Sequence, residues 1–278
     1  MPQHLNLKIK DKFEIIAFNE DKNYENYLNF NEKTILLELQ KNNYSKNSIK
    51  GILKYVSFNK PNLILQEKLK ASLLSQFNYF NDNFKTTFKQ YTSLNQLSNI
   101  IDNKTLFLTY NINFNLKDSF CCSFNLNNKS NLKTLCYGLN SFENLERFDK
   151  IILIEYPINE EFIYNLRKFS QVYVPLNKSE KLNLVTDRTD FLDVYFALQK
   201  SIAKNYNTNN LYDYYLMLKR NFDIKFDYAM FYISLEIFKE LNLIEEKLIN
   251  NNLSFKFNKI KTELENSKIY NKIINYRS

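Results

Sequence analysis

The chain has 278 residues, 44% of them hydrophobic and 16% aromatic, which is enough apolar material for two or three modest domains and excludes a disordered chain. Its net charge of +8 is spread thinly, as +3 over residues 1–60, +3 over 61–185 and +2 over 186–278, so it suits a polyanionic partner without marking a dedicated basic stripe. No apolar run approaches the roughly 20 residues of a membrane span and no signal-peptide pattern opens the sequence, so a cytoplasmic protein without a membrane partner is expected.

Residues 1–62 read as a β-rich unit. His4 to Asp11 and Lys12 to Asn19 alternate apolar with polar residues, a short helical turn follows near Tyr24 to Leu28, and Thr34 to Lys41 and Ile49 to Asn59 add two more strands. This set is compatible with a small OB-like barrel. Gly51 falls mid-strand, which predicts a bulge or bend. OB folds hold single strands by stacking bases on aromatics in a basic groove. The candidates here are Phe18, Tyr55 and Phe58, flanked by Lys8, Lys10, Lys50, Lys54 and Lys60. The same aromatics are also candidates for core, and the same lysines for edge-strand protection. His4, the chain's one histidine, shares a strand face with Asn6, Lys8 and Lys10, opposite Leu5, Leu7 and Ile9.

Leu63 to Tyr91 has a helical period and reads as a connector, residues 63–91. Residues 92–185 then alternate: helix Ser93 to Ile101, strand Thr105 to Tyr110, a stretch to Lys133 without a clear period, strand Thr134 to Tyr137, helix Phe142 to Glu146, strand Lys150 to Tyr156, helix Glu160 to Phe169 and strand Gln171 to Pro175. Continuous apolar strands such as I-I-L-I, separated by helices, predict a parallel sheet covered on both faces, a Rossmann-like domain. It lacks a nucleotide cradle: Gly51 and Gly138 are the only glycines, and neither G-x-G-x-x-G nor a Walker loop exists. Asp149, Glu155, Glu160 and Glu161 stand near element ends, where paired carboxylates could hold a metal, although a solvated helix start accounts for them more simply. Cys121, Cys122 and Cys136 lack C-x-x-C spacing and read as buried free thiols.

Residues 186–278 order themselves as three helices, a strand pair and a final short helix, which is the order of a winged helix. The first helix buries Phe191, Val194, Tyr195, Leu198 and Ile202 behind a cap at Thr186 or Asp187, and the third buries Met230, Ile233, Ile237 and Leu241 behind Asp227. Leu243 to Glu245 and Leu253 to Phe257 form the strands. Lys219 and Arg220 at the second helix's end, with Lys247 and Lys256 in the wing, could meet phosphates; at a helix C-terminus such cations also complement the dipole. The third helix offers Asp227, Ser234, Glu236, Lys239 and Glu240, a poor set for reading bases.

The stretch from Tyr228 to Glu245, followed by K-T-E-L-E-N-S-K-I-Y-N-K, resembles the C-terminal region of Firmicutes RecJ, the single-strand-DNA-specific exonuclease, through Phe238, Glu240, Leu241, Leu243, Leu264, Ser267 and Tyr270. Phe148 to Pro157, Gln171 to Val174 and Asp187 to Phe191 resemble the same region's strands and helix start, and His4 to Asn19 resembles the hairpin of the OB domain that precedes it. The resemblance implies a multi-domain α/β chain, OB-like over 1–62, Rossmann-like over 92–185 and winged-helix-like over 186–278. It further implies single-stranded DNA as partner, with a RecJ catalytic core or a single-strand-binding protein beside it. RecJ nucleases hold their metals with Asp and His clusters including D-H-H. One histidine cannot build such a site, so this chain is expected to be the non-catalytic portion, without a cofactor of its own. A winged-helix DNA-binding regulator and a pure protein-interaction module are the alternatives.

Overall fold

In the computed structural model the described residues are 4–9, 13–18, 24–41, 49–80, 88–126, 131–177, 188–249 and 252–277. They fall into two compact units, residues 1–69, 87–156 and 166–177 in one and 70–86, 157–165 and 178–278 in the other.

The first unit opens with β1 (Leu5–Ile9) and β2 (Phe13–Ala17), an antiparallel pair. α1 (Tyr24–Asn29) leads into β3 (Phe30–Lys41), which pairs antiparallel with β4 (Ile49–Pro61). β4 also runs parallel to β2 at Gly51 and Ile52, giving a four-stranded sheet of order β1-β2-β4-β3. The expected bulge lies not at Gly51, which pairs in register with Leu39, but at Lys54, skipped where Leu36 faces Tyr55 and Leu37 faces Leu53. α2 (Leu63–Leu74) follows, started by Asn62, whose side-chain oxygen accepts from the Leu65 amide at 3.0 Å.

The second sheet has six strands: β5 (Lys89–Tyr91), β6 (Thr105–Thr109), β7 (Ser119–Phe124), β8 (Lys133–Leu139), β9 (Lys150–Leu153) and β10 (Gln171–Pro175). Their order is β5-β10-β9-β6-β8-β7, and every neighbouring pair is parallel. The chain is therefore mixed α/β with a parallel sheet, as its apolar strand runs indicate. Two strands correct the sequence reading. β7 lies in the stretch without a clear period, because S-F-C-C-S-F is buried along nearly its whole length and does not alternate. β5 lies at the end of the expected connector, three residues recruited by a neighbouring strand. The helices also shrink: Leu94–Ile100 is a 3-10 helix, and Phe142 to Glu146 gives only a 3-10 turn at Leu145–Arg147, too short to nucleate an α-helix. α3 (Glu161–Arg167) is the α-helix between β9 and β10.

The two sheets of this unit share one core. Phe30, Val56, Phe58, Leu65 and Leu69 join Phe107, Phe124, Leu135 and Tyr137, with Phe30 at 5.5 Å from Phe58 and 5.8 Å from Tyr137. Polar groups lock the same contact. The buried Asn26 side-chain oxygen accepts from both the amide and the hydroxyl of Ser123 (2.9 and 2.8 Å), and the Asn29 amide donates to that hydroxyl at 3.0 Å. Burial makes each of these bonds costly to leave unmade. Gly138 holds φ +70°, and a Cβ there would stand 2.8 Å from Phe124 and 2.9 Å from Leu69, so close packing and backbone both require glycine.

The second unit consists of α4 (Arg188–Ala203), α5 (Leu211–Asn221), α6 (Tyr228–Glu240), the hairpin β11 (Ile244–Ile249) and β12 (Asn252–Phe257), and α7 (Lys268–Arg277), together with the end of α2, the residues around Phe77, and residues 157–165, which include most of α3. The helix–helix–helix–hairpin–helix order is the one its sequence predicts. Phe191, Val194, Leu198, Met230, Ile233, Ile237 and Leu241 are buried, while Tyr195 and Ile202 pack at the margin. Asp227 caps α6 by accepting from the Met230 amide at 2.8 Å. Asn210 does the same for α5 through the Asp213 amide at 2.9 Å. The cap expected at Thr186 or Asp187 lies outside the described residues. None of the 13 residues of α6 is exposed.

Candidate nucleic-acid interface

Pairing in the four-stranded sheet sorts its side chains onto two faces. Asn6, Ile16, Ile52 and Glu38 are partners across the strands, as are Leu7, Ile15, Gly51 and Leu39 one residue away, so the two rows point to opposite sides. Ile15 is buried and belongs to the inner face. The bulge at Lys54 changes the parity of β4. Beyond it Tyr55, opposite Leu36, joins the outer face, and Val56 and Phe58 turn into the core. Phe18 continues the outer row of β2, its ring 4.7 Å from that of His4 in an edge-on contact. Phe18, Tyr55 and Leu36 are 48%, 45% and 61% exposed. Singly exposed apolar residues are ordinary, but these three share one sheet face.

Of the aromatics expected to stack bases, Phe18 and Tyr55 are thus available, and Phe58 is not. It is fully buried, 5.2 Å from the Tyr27 ring and 5.5 Å from Phe30, and no base can reach it. That correction is written in the spacing, since Tyr55 and Phe58 are three residues apart and a strand places such a pair on opposite faces. His4 and Leu36, absent from the sequence candidates, join the outer face through the same parity.

The lysines divide likewise. Lys50 is half-buried and opposite Gln40 on the outer face. Lys54 meets Glu38 at 2.5 Å and Lys60 meets Glu32 at 3.7 Å, so part of their charge is already compensated. The Lys54 ammonium and its hydrogen bond hold the Glu38 carboxyl below its ordinary range. Lys8 occupies β1 opposite Glu14, and Lys10 lies outside the described residues. In the second unit, Lys219 and Arg220 are exposed at the end of α5, with the Lys219 ammonium 5.9 Å from the Tyr215 ring. Lys247 and Lys256 share one hairpin face with Glu245, which is 4.0 Å from Lys247.

The carboxylates weighed as metal ligands do not converge. Asp149 precedes β9 and pairs with Lys104 at 3.4 Å; Glu155 follows the same strand, accepting from the Thr109 hydroxyl at 2.7 Å and the Tyr110 amide at 2.9 Å. Burial pushes the Glu155 carboxyl above its ordinary range despite those two bonds. Glu161 pairs with Lys272 at 2.8 Å. Among the described residues no group of three or more His, Cys, Asp or Glu could hold a metal ion, and no helix is long and apolar enough to cross a membrane. The three cysteines are free and buried. Burial raises the Cys121 thiol to about 11, and the contact with Cys136 together with complete burial raises Cys122.

Comparison with protein-family models, curated proteins and solved structures finds no match to this chain.

Several of the C-terminal residues singled out in the sequence have architectural roles. Glu240, at the end of α6, accepts from the Ser267 hydroxyl at 2.5 Å and from the Lys268 and Ile269 amides at 3.0 and 3.2 Å. The Ser267 oxygen in turn accepts from the Tyr270 amide at 3.0 Å. A carboxylate and a hydroxyl together satisfy the donors that open α7. Tyr270 stacks edge-on against Phe191 at 5.6 Å, and Phe238, Leu241 and Leu264 pack in the same core.

Proposed function

We propose that this chain is a non-catalytic accessory portion of a RecJ-type exonuclease that holds single-stranded DNA on the outer face of the four-stranded sheet. The catalytic core, and any divalent metal, belongs outside it. One observation carries the reading: Phe18 and Tyr55 stand exposed on one sheet face with Lys50 and Lys54 beside them. Stacking faces with nearby cations are what sequence-blind single-strand binding requires. The parallel β2–β4 pair and the helix before β3 support an OB-like unit with four strands instead of the usual five. The order of α4 to α7 around the β11–β12 hairpin supports a winged-helix-like unit.

A winged-helix regulator reads the major groove with an exposed helix, and α6, the third helix, has no exposed residue. Protein docking in the second unit has more to support it, from a groove of about 560 Å³ where Leu192 and Ile260 stay exposed between α4 and the segment before α7.

The test is fluorescence anisotropy of a labelled oligo-dT strand at two salt concentrations, beside a duplex of equal length. The strand is expected to bind preferentially and more weakly at high salt, with no nuclease activity from the chain alone. Tyr55→Ala and Phe18→Ala are each expected to cost about 1 to 3 kcal/mol of binding, the contribution of one stacked base. Preference for the duplex, or metal-dependent hydrolysis by the pure chain, would overturn the reading.

A further inference from the structure

The parallel sheet carries a second basic surface at the edge where its strands begin. Lys89 opens β5, Lys133 opens β8, Lys150 opens β9 and Lys104 immediately precedes β6. Two of these are compensated, Lys104 by Asp149 at 3.4 Å and Lys150 by Asp102 at 2.6 Å. Beside Lys89 the edge opens into a crevice of about 760 Å³. Its wall includes Arg167, Lys168 and Phe169, three consecutive exposed residues where α3 ends, with the carboxylates of Glu146 and Asp149 also on the lining. Phe169 stays 39% exposed, with Phe142 at 5.9 Å. The Lys89 ammonium lies 5.5 Å from the Tyr173 ring.

Parallel sheets place their usual ligand crevice at the carboxyl ends of the strands, so the fold's common site does not account for this one. Glycine-lined backbone is also unnecessary here, because side chains supply the cations and the ring. Pockets of about 300–1,000 Å³ take a drug-sized ligand, which is the scale of one or two nucleotide units and far below a duplex.

From this juxtaposition we infer that the crevice is a second contact for single-stranded nucleic acid, with Phe169 stacking a base and Lys89, Arg167 and Lys168 meeting the flanking phosphates. The inference rests on the reading of the chain as a single-strand binder, but on a different surface. A strand engaging both places gains from the high effective concentration of the second site once the first is bound.

Labelled oligo-dT is titrated across a salt series into the full chain, into R167E/K168E, into F169A and into the outer-face pair F18A/Y55A. Circular dichroism melting checks that each variant is folded. R167E/K168E should make the slope of log K against log salt shallower by about 1.4, two phosphate contacts at about 0.7 each. F169A should weaken binding by roughly 5- to 150-fold. An iodouracil-substituted strand should photocrosslink to the peptide containing Phe169 in the unaltered chain, a readout independent of any variant's folding. If F18A/Y55A weakens binding while R167E/K168E and F169A do not, and no crosslink forms at Phe169, the inference is overturned and the outer-face reading stands. The reverse pattern keeps the crevice and overturns the outer face. An unaltered chain that binds no strand overturns both.

Discussion

Removing the Glu240 carboxylate tests what anchors α7. Three donors converge on it: the Ser267 hydroxyl at 2.5 Å and the amides of Lys268 and Ile269 at 3.0 and 3.2 Å. Ser267 is fully buried, so in Glu240→Ala its hydroxyl has no water to replace the lost acceptor. A hydrogen bond to a charged group contributes about 1.5 to 3 kcal/mol and a helix cap about 1 kcal/mol. The three bonds share one carboxylate, and Lys268 is exposed enough for its amide to turn to solvent, so the whole set is worth about 2 to 3 kcal/mol and not the sum of its parts. Glu240→Gln keeps an acceptor oxygen and should lose about 1 kcal/mol. Ser267→Ala also deprives the Tyr270 amide of its acceptor and should lose about 1 to 2 kcal/mol. Since both residues belong to one network, the double variant should fall short of the summed losses by about 0.5 kcal/mol or more. Urea unfolding followed by far-ultraviolet circular dichroism measures these differences, with the transition containing α7 fitted separately because the chain has two units. A Glu240→Ala variant within about 0.5 kcal/mol of the unaltered protein, or strictly additive losses, would refute the account.

Gly138→Ala should destabilise the first unit by about 2 to 4 kcal/mol, combining the strain of a positive φ with the intrusion on Phe124 and Leu69; a loss below about 1 kcal/mol in urea unfolding would show that both side chains can move aside. Glu155 has its folded pKa raised above the ordinary 4.5, so the unfolded chain releases the proton first and stability falls as pH rises from about 4.5 through the folded value. Glu155→Gln should flatten that decline in urea midpoints collected between about pH 4 and 7, and an unchanged slope would remove Glu155 from the account. Iodoacetamide at about pH 8 should leave Cys121, Cys122 and Cys136 unmodified in the folded chain and alkylate all three after denaturation, as mass spectrometry would record. Rapid labelling of the native protein would contradict their burial.

How much of this could be seen in the residues alone depends on how local the determining physics is. The helices of the second unit were legible because periodicity and caps are properties of consecutive residues: Asp227 starts α6, and Met230, Ile233 and Ile237 line its buried face. The parallel sheet was legible for a related reason, since strands buried on both faces must be apolar along their buried length, as I-I-L (Ile151 to Leu153) in β9 is. The candidate face was legible in part: Phe18 and Tyr55 are exposed, whereas Phe58 is core.

What the sequence determined by itself is therefore the set of strongly patterned elements, their order, and the absence of residues for a histidine-rich metal site or a glycine cradle. Tertiary structure alone decided the rest. A bulge at Lys54 set which side of β4 faces out, because one extra residue reverses every side chain after it. β5, a three-residue edge, exists only because β10 offers it a partner, and β7 takes its place beside β8 with Ser123 held by Asn26 and Asn29 from nearly a hundred residues away. Such pairings belong to the folded chain, where an edge already formed supplies the hydrogen bonds that a short or unpatterned segment cannot secure alone.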